Sequence, residues 1–294
     1  MTTTPREALE RPKLAISFSG GRTSAYMTQR LLREYSATHD MVVTFANTGL
    51  EHEKTLEFVN NCDKHMGFNT VWLEAVVDPQ EGKGTRHKIV TFETAARNGE
   101  PFEEVIKKYG IPFSHFPTCT RELKENTMKS YLRSIGWNKG DYVSAIGIRV
   151  DEVDRVSERA KDFDFFYPLV KWKISKGDVK SFWAKQLFDL DLPEHLGNCI
   201  TCWKKSDRKL FTIAKETPEA FDFMDRMERE YPHNGAGEGP RRFFRKYRST
   251  QDILALAQKP FRPFVPGAFQ LEMFDPELDT QSACGETCEI GADA

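Results

Sequence analysis

The first 77 residues alternate short apolar runs with stretches of helical spacing, and this alternation constrains the fold more than any other feature of the chain. Leu14-Ala-Ile-Ser-Phe18, Met41-Val-Val-Thr-Phe45 and Thr70 to Val77 read as buried strands. Between them, Arg22 to Glu34 repeats Tyr26, Met27, Leu31 and Leu32 at helical intervals, and Glu51 to His65 carries Leu56 and Val59 on one face. Strand, helix, strand, helix, strand predicts a parallel sheet with helices on its faces. The expected fold is therefore α/β, a doubly wound, mostly parallel sheet. The pattern continues with helices over 101–109 and 121–134, a fourth strand over 141–148 and a helix over 176–187. From about Leu192 the character changes to a Cys pair, helices over 207–215 and 218–230, a Gly-rich break (234–239), a Pro-rich stretch (259–266) and an irregular tail (284–294). The expected division is a loose lead (1–12), an α/β domain (13–190) and a helical C-terminal region (191–294). No internal repeat is present.

Composition narrows the function classes. The 294 residues suffice for a full α/β core, and the net charge of −2 excludes a bulk polyanion binder while leaving room for a local basic face. Charged residues at 29% and hydrophobic ones at 39% exclude a membrane bundle and a wholly disordered chain. No apolar run approaches the ~18 residues of a membrane span, and the start has no apolar signal core, so a cytoplasmic protein without a membrane partner is expected. In that compartment the six cysteines read as free thiols, metal ligands or redox groups before disulfides.

Ser17-Phe-Ser19-Gly20-Gly21-Arg22-Thr23-Ser24 joins the first strand to the first helix. At the carboxyl end of a parallel strand, glycines let backbone N–H groups approach phosphate oxygens, the helix N-terminus adds positive potential, and Ser19, Thr23 and Ser24 add hydroxyl donors. A plain βα turn with a Ser/Thr cap is the competing reading. Neither G-x-x-x-x-G-K-[ST] nor G-x-G-x-x-G occurs, which disfavours a Walker-type NTPase and a Rossmann dehydrogenase.

The segment Ser19 to Ser24 resembles the SGGxDS/SGGxTS pyrophosphate loop (PP-loop) of the adenine nucleotide alpha-hydrolase superfamily. That group includes PAPS reductase-like proteins, some from phages, tRNA thiolation enzymes and the ATP pyrophosphatases of DNA phosphorothioation. Further segments match in order: Phe45-Ala-Asn47-Thr48-Gly49 with Glu51 and Thr55; Thr118-Cys119-Thr-Arg121-Glu-Leu-Lys124; Gly147-Ile-Arg149-Val-Asp151-Glu152; Tyr167-Pro-Leu169 through Trp172 to Asp178-Val179; and Gly197-Asn-Cys199-Ile-Thr-Cys202. Together they span roughly residues 13 to 210. The SGGxDS aspartate is Thr23 here. The tail, Ala283-Cys284-Gly285-Glu286-Thr287-Cys288, lacks the Leu-His of the sulfonucleotide reductase nucleophile, and one Cys of the adjacent pair of assimilatory APS reductases is Thr118.

The resemblance implies an ATP pyrophosphatase that releases AMP and pyrophosphate, adenylates an acceptor and supports sulfur transfer, with ATP and Mg²⁺ as cofactors. The implied acceptor is a nucleic acid, DNA or tRNA, and a cysteine desulfurase or another modification subunit would supply sulfur. A sulfonucleotide (PAPS/APS) reductase is the alternative enzyme, and an ATP-binding iron–sulfur scaffold the non-enzymatic one. Expected nucleotide-site residues are Ser17, Ser19, Gly20, Gly21, Arg22, Thr23, Ser24, Asn47, Thr48, Gly147 and Arg149, with Arg149, Arg121 and Lys124 as the cations that act on phosphate. Arg149 could instead form a surface ion pair with Asp151 or Glu152, and Arg121 and Lys124 a solvated helix face. Asp151 could hold Mg²⁺. Cys199-x-x-Cys202 has metal-ligand spacing. With Cys119, and a fourth ligand from Cys284 or Cys288, the resemblance favours a four-iron, four-sulfur (4Fe-4S) cluster. His115 and His195 keep a Cys₃His zinc site open, and Cys62 reads as packing. The loop Gly82 to Lys88 could close over a polyanion or be simply solvated. Arg241-Arg-Phe-Phe-Arg-Lys-Tyr-Arg248, with Lys204, Lys205, Arg208 and Lys209, reads equally as a nucleic-acid face or as an amphipathic helix with core aromatics.

Overall fold

The computed structural model describes residues 11–113, 116–235, 238–266 and 276–279. Among these, β1 (Lys13–Ser17), β2 (Asp40–Ala46), β3 (Val71–Val76), β4 (Arg86–Val90), β5 (Tyr142–Ala145) and β6 (Phe165–Phe166) form one sheet in the order β4-β3-β2-β1-β5-β6. All neighbours are parallel except β3 and β4. The fold is α/β with a mostly parallel, doubly wound sheet, as its alternation of apolar runs predicts.

The pleat of β1 explains the layers. Leu14 and Ile16 pack with Met27 and Leu31 of α1 (Arg22–Tyr35), Leu56, Phe58 and Val59 of α2 (Glu53–Met66), and, after α3 (Glu100–Tyr109), α4 (Thr127–Ser134) and α5 (Pro168–Lys171), Trp183 of α6 (Lys176–Trp183). Ala15, between them in sequence, points to the other face and meets Leu132 of α4 and Trp137. Trp183 also donates its indole N–H to the Arg22 carbonyl at 2.9 Å, fixing α6 against the start of α1. The later helices α7 (Asp207–Glu216), α8 (Asp222–Glu230) and α9 (Thr250–Leu256) share a second core with α3, in which Phe102, Val105 and Ile106 meet Leu210, Phe211, Met224 and Ile253. The last described element is α10 (Pro276–Asp279). No described helix is long and apolar enough to cross a membrane.

Several elements differ from the sequence reading: β6, α5 and α9 have no counterpart in it, and the helix expected over 218–230 divides into the 3₁₀ turn Pro218–Phe221 and α8. Residues 86–88, expected as the end of a loop, start the antiparallel edge strand β4; Arg86, Lys88 and Ile89 are exposed, so the strand lacks the apolar run of a central one. The strand expected over 141–148 ends at Ala145, and Ile146 to Arg149 turn away to start the 3₁₀ turn Val150–Arg155. The helix expected over 121–134 begins as a π-helix, Cys119–Asn126, before α4. Arg241 to Arg248 is not an amphipathic helix: Phe244 and Arg248 form a short bridge around a 3₁₀ turn, with Lys246 and Tyr247 at positive φ.

Candidate nucleotide and thiol site

The connection from β1 leads to α1, and β1 is flanked by β2 on one side and β5 on the other. This is the topological switch point of the sheet, where a crevice opens at the carboxyl ends of the strands. Two loops meet there: Ser19–Gly21 after β1 and Ile146–Arg149 after β5.

The first loop is held by its own side chains. Gly20 sits at φ +80°, and a Cβ there would stand 2.8 Å from Thr55 Cγ2 and 3.1 Å from the Phe45 ring, so both backbone and packing demand glycine. Ser24 is fully buried; its hydroxyl lies 2.8 Å from Ser19 Oγ, accepts from Ser19 N at 3.2 Å and donates to the Gly21 carbonyl. Ser24 therefore staples the loop rather than offering a phosphate donor. Gly21 caps α1 without a side-chain bond, and the first turn of α1 has no acidic residue, so its amides and dipole remain available to an anion. Arg22 turns outward into a bidentate pair with Asp189, at 2.6 and 2.9 Å.

Arg149 is buried rather than on the surface. Its guanidinium donates to Thr23 Oγ1 at 3.0 Å and pairs with Asp151 and Glu152 at 3.1 and 3.3 Å. Burial alone would raise the Asp151 pKa, but the hydrogen bond and charge of Arg149 outweigh it and hold the carboxyl below its usual value. Asp151 also accepts from the Lys176 amide at 3.0 Å, so most of its acceptor capacity is spent within the fold. Gly147 is buried in the same loop.

Ser17, Phe18, Ser19, Ala46, Glu51, Lys124, Met128 and Asn198 line a small cavity against the inner face of the loop. Gly21, Arg22 and Thr23 wall a larger one of about 400 Å³ on the outer face, against α6 and residues 189–197. Asn47 lines neither cavity. It is fully buried and spends its amide on Glu74 Oε1 at 2.7 Å and the Ala96 carbonyl at 2.9 Å, and its Oδ1 on the Gly49 amide. It shapes the turn after β2 rather than the crevice. Glu74, which anchors it, is the one polar residue of β3, buried there and reached by Lys88 at 2.8 Å.

Thr48 points to a third cavity. Its hydroxyl donates to Glu51 at 2.8 Å and lies 3.3 Å from Cys199 Sγ. Cys119, Cys199 and Cys202, distant in sequence, line this one pocket together with Lys124, Lys204 and an apolar wall that includes Phe102, Trp203 and Met224. None of the three is in a disulfide. The pairing of Glu51 with Cys199 and the Ile200 amide on the Leu50 carbonyl bring the Cys pair to the end of β2. Lys124 lines both this pocket and the inner cavity of the glycine loop. Among the described residues no group of three or more His, Cys, Asp or Glu side chains is gathered closely enough to hold a metal ion. Cys284, Cys288 and His115 lie outside the described residues. His195 is buried against Phe264 with Nε2 3.3 Å from Glu216, and burial lowers its pKa; it is not among the residues lining the thiol pocket. Cys62 is fully buried in α2, and burial pushes its thiol pKa far up, as expected of a packing residue.

The expected basic face is dispersed. Lys204, Lys205, Arg208 and Lys209 are all buried. Lys205 caps the His195 and Ile200 carbonyls, Arg208 pairs with Asp279 at 2.6 Å, and Lys209 pairs with Glu194 at 3.2 Å. Arg245 and Arg248 both reach the buried Asp207, at 3.0 and 2.8 Å, and Phe243 and Phe244 are core. Arg121 lies on the exposed side of the π-helix and donates to Glu122 at 2.6 Å. The loop 80–84 is pinned by Lys108, whose ammonium donates to the carbonyls of Asp78, Gln80 and Lys83.

No family model matches the chain. It is 29% identical over 282 residues to an uncharacterized nin region protein of Escherichia phage lambda, covering 94% of each chain. An uncharacterized protein of Methanocaldococcus jannaschii is 27% identical over 247 residues, which are 79% of this chain and 45% of that protein. A second protein of that archaeon is 29% identical over 117 residues, 40% of this chain and 22% of its own. The lambda relative matches end to end, whereas the chain spans less than half of the first archaeal one.

Proposed function

We propose that the chain is an ATP pyrophosphatase of the adenine nucleotide alpha-hydrolase type serving sulfur transfer. The observation that carries this reading is the juxtaposition at one switch point of a carboxylate-free helix N-terminus, a buried arginine and a pocket lined by three cysteines, with Lys124 lining both this pocket and the loop cavity. An acceptor oxygen attacks the α-phosphorus of ATP and pyrophosphate departs onto the amides of Gly20 to Thr23. Arg149 and Lys124 oppose the charge that builds on the phosphoryl oxygens. A sulfur nucleophile then displaces AMP, leaving the thiolated acceptor. Asp151 would hold Mg²⁺, which would supply neutralisation of the phosphate charge. The soft donors Cys119, Cys199 and Cys202, which line one pocket, are of the type that would hold an iron–sulfur cluster. Incubation with Mg-ATP and chromatography of the products tests the reading: AMP and pyrophosphate are expected, and ADP with phosphate would contradict it.

The three thiols beside the loop cavity also favour a second reading, reduction of a sulfonucleotide. Consumption of PAPS or APS with a thiol reductant, and none of ATP, would select it.

A further inference from the structure

Four segments build a ladder of alternating cations and rings. Lys108 Nζ lies 5.2 Å from the Tyr109 ring, and Arg121 follows at 5.7 Å from Tyr109 and 5.2 Å from Phe116. Arg241 then stands 5.8 Å from Phe116 and 5.5 Å from Phe113. The order is Lys108, Tyr109, Arg121, Phe116, Arg241, Phe113, contributed by α3, the turn after it, the π-helix and the chain after α8.

The frame under the ladder is rigid. A Cβ on Gly110 would stand 2.1 Å from the Asn234 carbonyl oxygen, and one on Gly235 would stand 2.3 Å from that of Tyr109. The two segments thus cross in backbone contact, and Asn234 Nδ2 donates to the Lys107 carbonyl at 2.7 Å across the same crossing. The Arg121 side chain is 46% exposed although it donates to Glu122.

We propose that this ladder is a docking surface for a single-stranded nucleic acid, the acceptor class of the sulfur-transfer reading on which the proposal rests. Charge complementarity selects this occupant: Arg121 and Arg241, held in place by the rings, set positive charge toward a phosphate backbone and offer guanidinium planes for stacking to unpaired bases, while Lys108 is committed to backbone carbonyls. Rings that already hold the guanidinium groups lower the ordering cost of binding. Arg121 lies three residues before Lys124, which lines the cavity at the glycine loop. The surface replaces the one expected from Arg241 to Arg248, of which only Arg241 takes part.

The test is fluorescence anisotropy of the full-length protein with a labelled 12-nucleotide oligo-dT and an RNA oligonucleotide of the same length, titrated from 25 to 200 mM salt. Wild type is expected to bind at low salt with a steep negative log–log slope. Replacing Arg121 and Arg241 together by Ala should flatten that slope by about 1.4, at roughly 0.7 per lost phosphate contact. Phe116→Leu keeps the apolar bulk, removes the π-face and should weaken binding roughly tenfold. Arg33→Ala, at the far end of α1, serves as the unchanged reference. Unaltered circular dichroism and melting temperature confirm that each variant is folded. Absence of binding at 25 mM salt, or a slope and affinity unmoved in folded variants, overturns the proposal. Production of AMP and pyrophosphate by wild type is measured separately, so an active enzyme with no affinity for the oligonucleotides would refute the surface and leave the nucleotide chemistry standing.

Discussion

Arg149 Nη1 donates to Thr23 Oγ1 at 3.0 Å, tying the loop after β5 to the first turn of α1 across the switch-point crevice. The guanidinium is enclosed and shared with Asp151 and Glu152. A ligand phosphate at the start of α1 would thus meet a cation whose position the fold has already fixed, which is the condition for strong electrostatic assistance.

Replacing Arg149 separates charge from geometry. Arg149→Lys keeps the charge but loses the planar fork that spans Thr23 and the two carboxylates. ATP affinity should fall about tenfold, with a melting temperature close to that of wild type. Arg149→Ala leaves Glu152 buried without this partner and should be destabilising by about 3 kcal/mol. Calorimetric titration with ATP and thermal melts check both; a lysine variant with wild-type affinity would remove Arg149 from the nucleotide site.

The two loop glycines should fail differently. Gly20→Ala imposes a left-handed backbone on a residue with a Cβ, costing about 1–2 kcal/mol, and drives that Cβ toward Thr55 Cγ2. A second change, Thr55→Ser, removes the opposing methyl and should recover part of the loss. Gly21 has φ −101°, so Gly21→Val should fold while obstructing anion approach to the amides. Denaturant midpoints and ATP binding, measured side by side, distinguish a stability defect at Gly20 from a binding defect at Gly21.

The strands β1, β2 and β3 and the glycine loop were legible because each strand is largely an apolar run and the helices between them keep a 3.6-residue period; the two-residue β6 is too short to carry such a signal. β4 was not legible, because an edge strand with an exposed Arg, Lys and Ile loses the apolar signature. Convergence of Cys119 with Cys199 and Cys202 was legible from motif resemblance alone. Asn47 shows the limit of such reading: a strand-end position predicts a liner, but its side chain is claimed by Glu74, a partner 27 residues away that no pattern near Asn47 points to. Lys204, Lys205, Arg208 and Lys209 fail for the same reason. A charge run reads as solvated until tertiary partners such as Glu194, Asp279 and the His195 carbonyl absorb it.

Acid stability should carry the signature of Glu122. Burial would raise its pKa, but hydrogen bonds from Thr85, Asn126 and Arg121 dominate and hold it below the usual value. A carboxyl whose folded pKa is depressed contributes stability that is present above its unfolded pKa, about 4.3, and is lost as pH falls through the lower folded value. Wild type should therefore lose melting temperature between about pH 5 and pH 3, and Glu122→Gln should start lower and fall less steeply. Parallel slopes for the two proteins would show that Glu122 does not contribute to the acid transition.

The thiols should divide by environment. Cys62 is sealed in the core of α2, and burial disfavours its thiolate. Alkylation in the native state should leave it untouched until the protein unfolds. Cys119 and Cys199 are only partly buried and line a pocket that also holds Lys124 and Lys204. Neighbouring cations favour the thiolate, the reactive form, so these two should label first with iodoacetamide at pH 8, as located by peptide mass spectrometry. Lys124→Gln removes the cation shared with the loop cavity and should slow that labelling several-fold while leaving the melting temperature within a few degrees. The same substitution should reduce ATP turnover, because Lys124 also faces the cavity beside Ser17 and Ser19. Slower labelling together with slower turnover would mark Lys124 as the residue that couples the two chemistries. If turnover falls while thiol reactivity stays at the wild-type rate, Lys124 serves the nucleotide alone and the thiol pocket draws its electrostatic character from elsewhere.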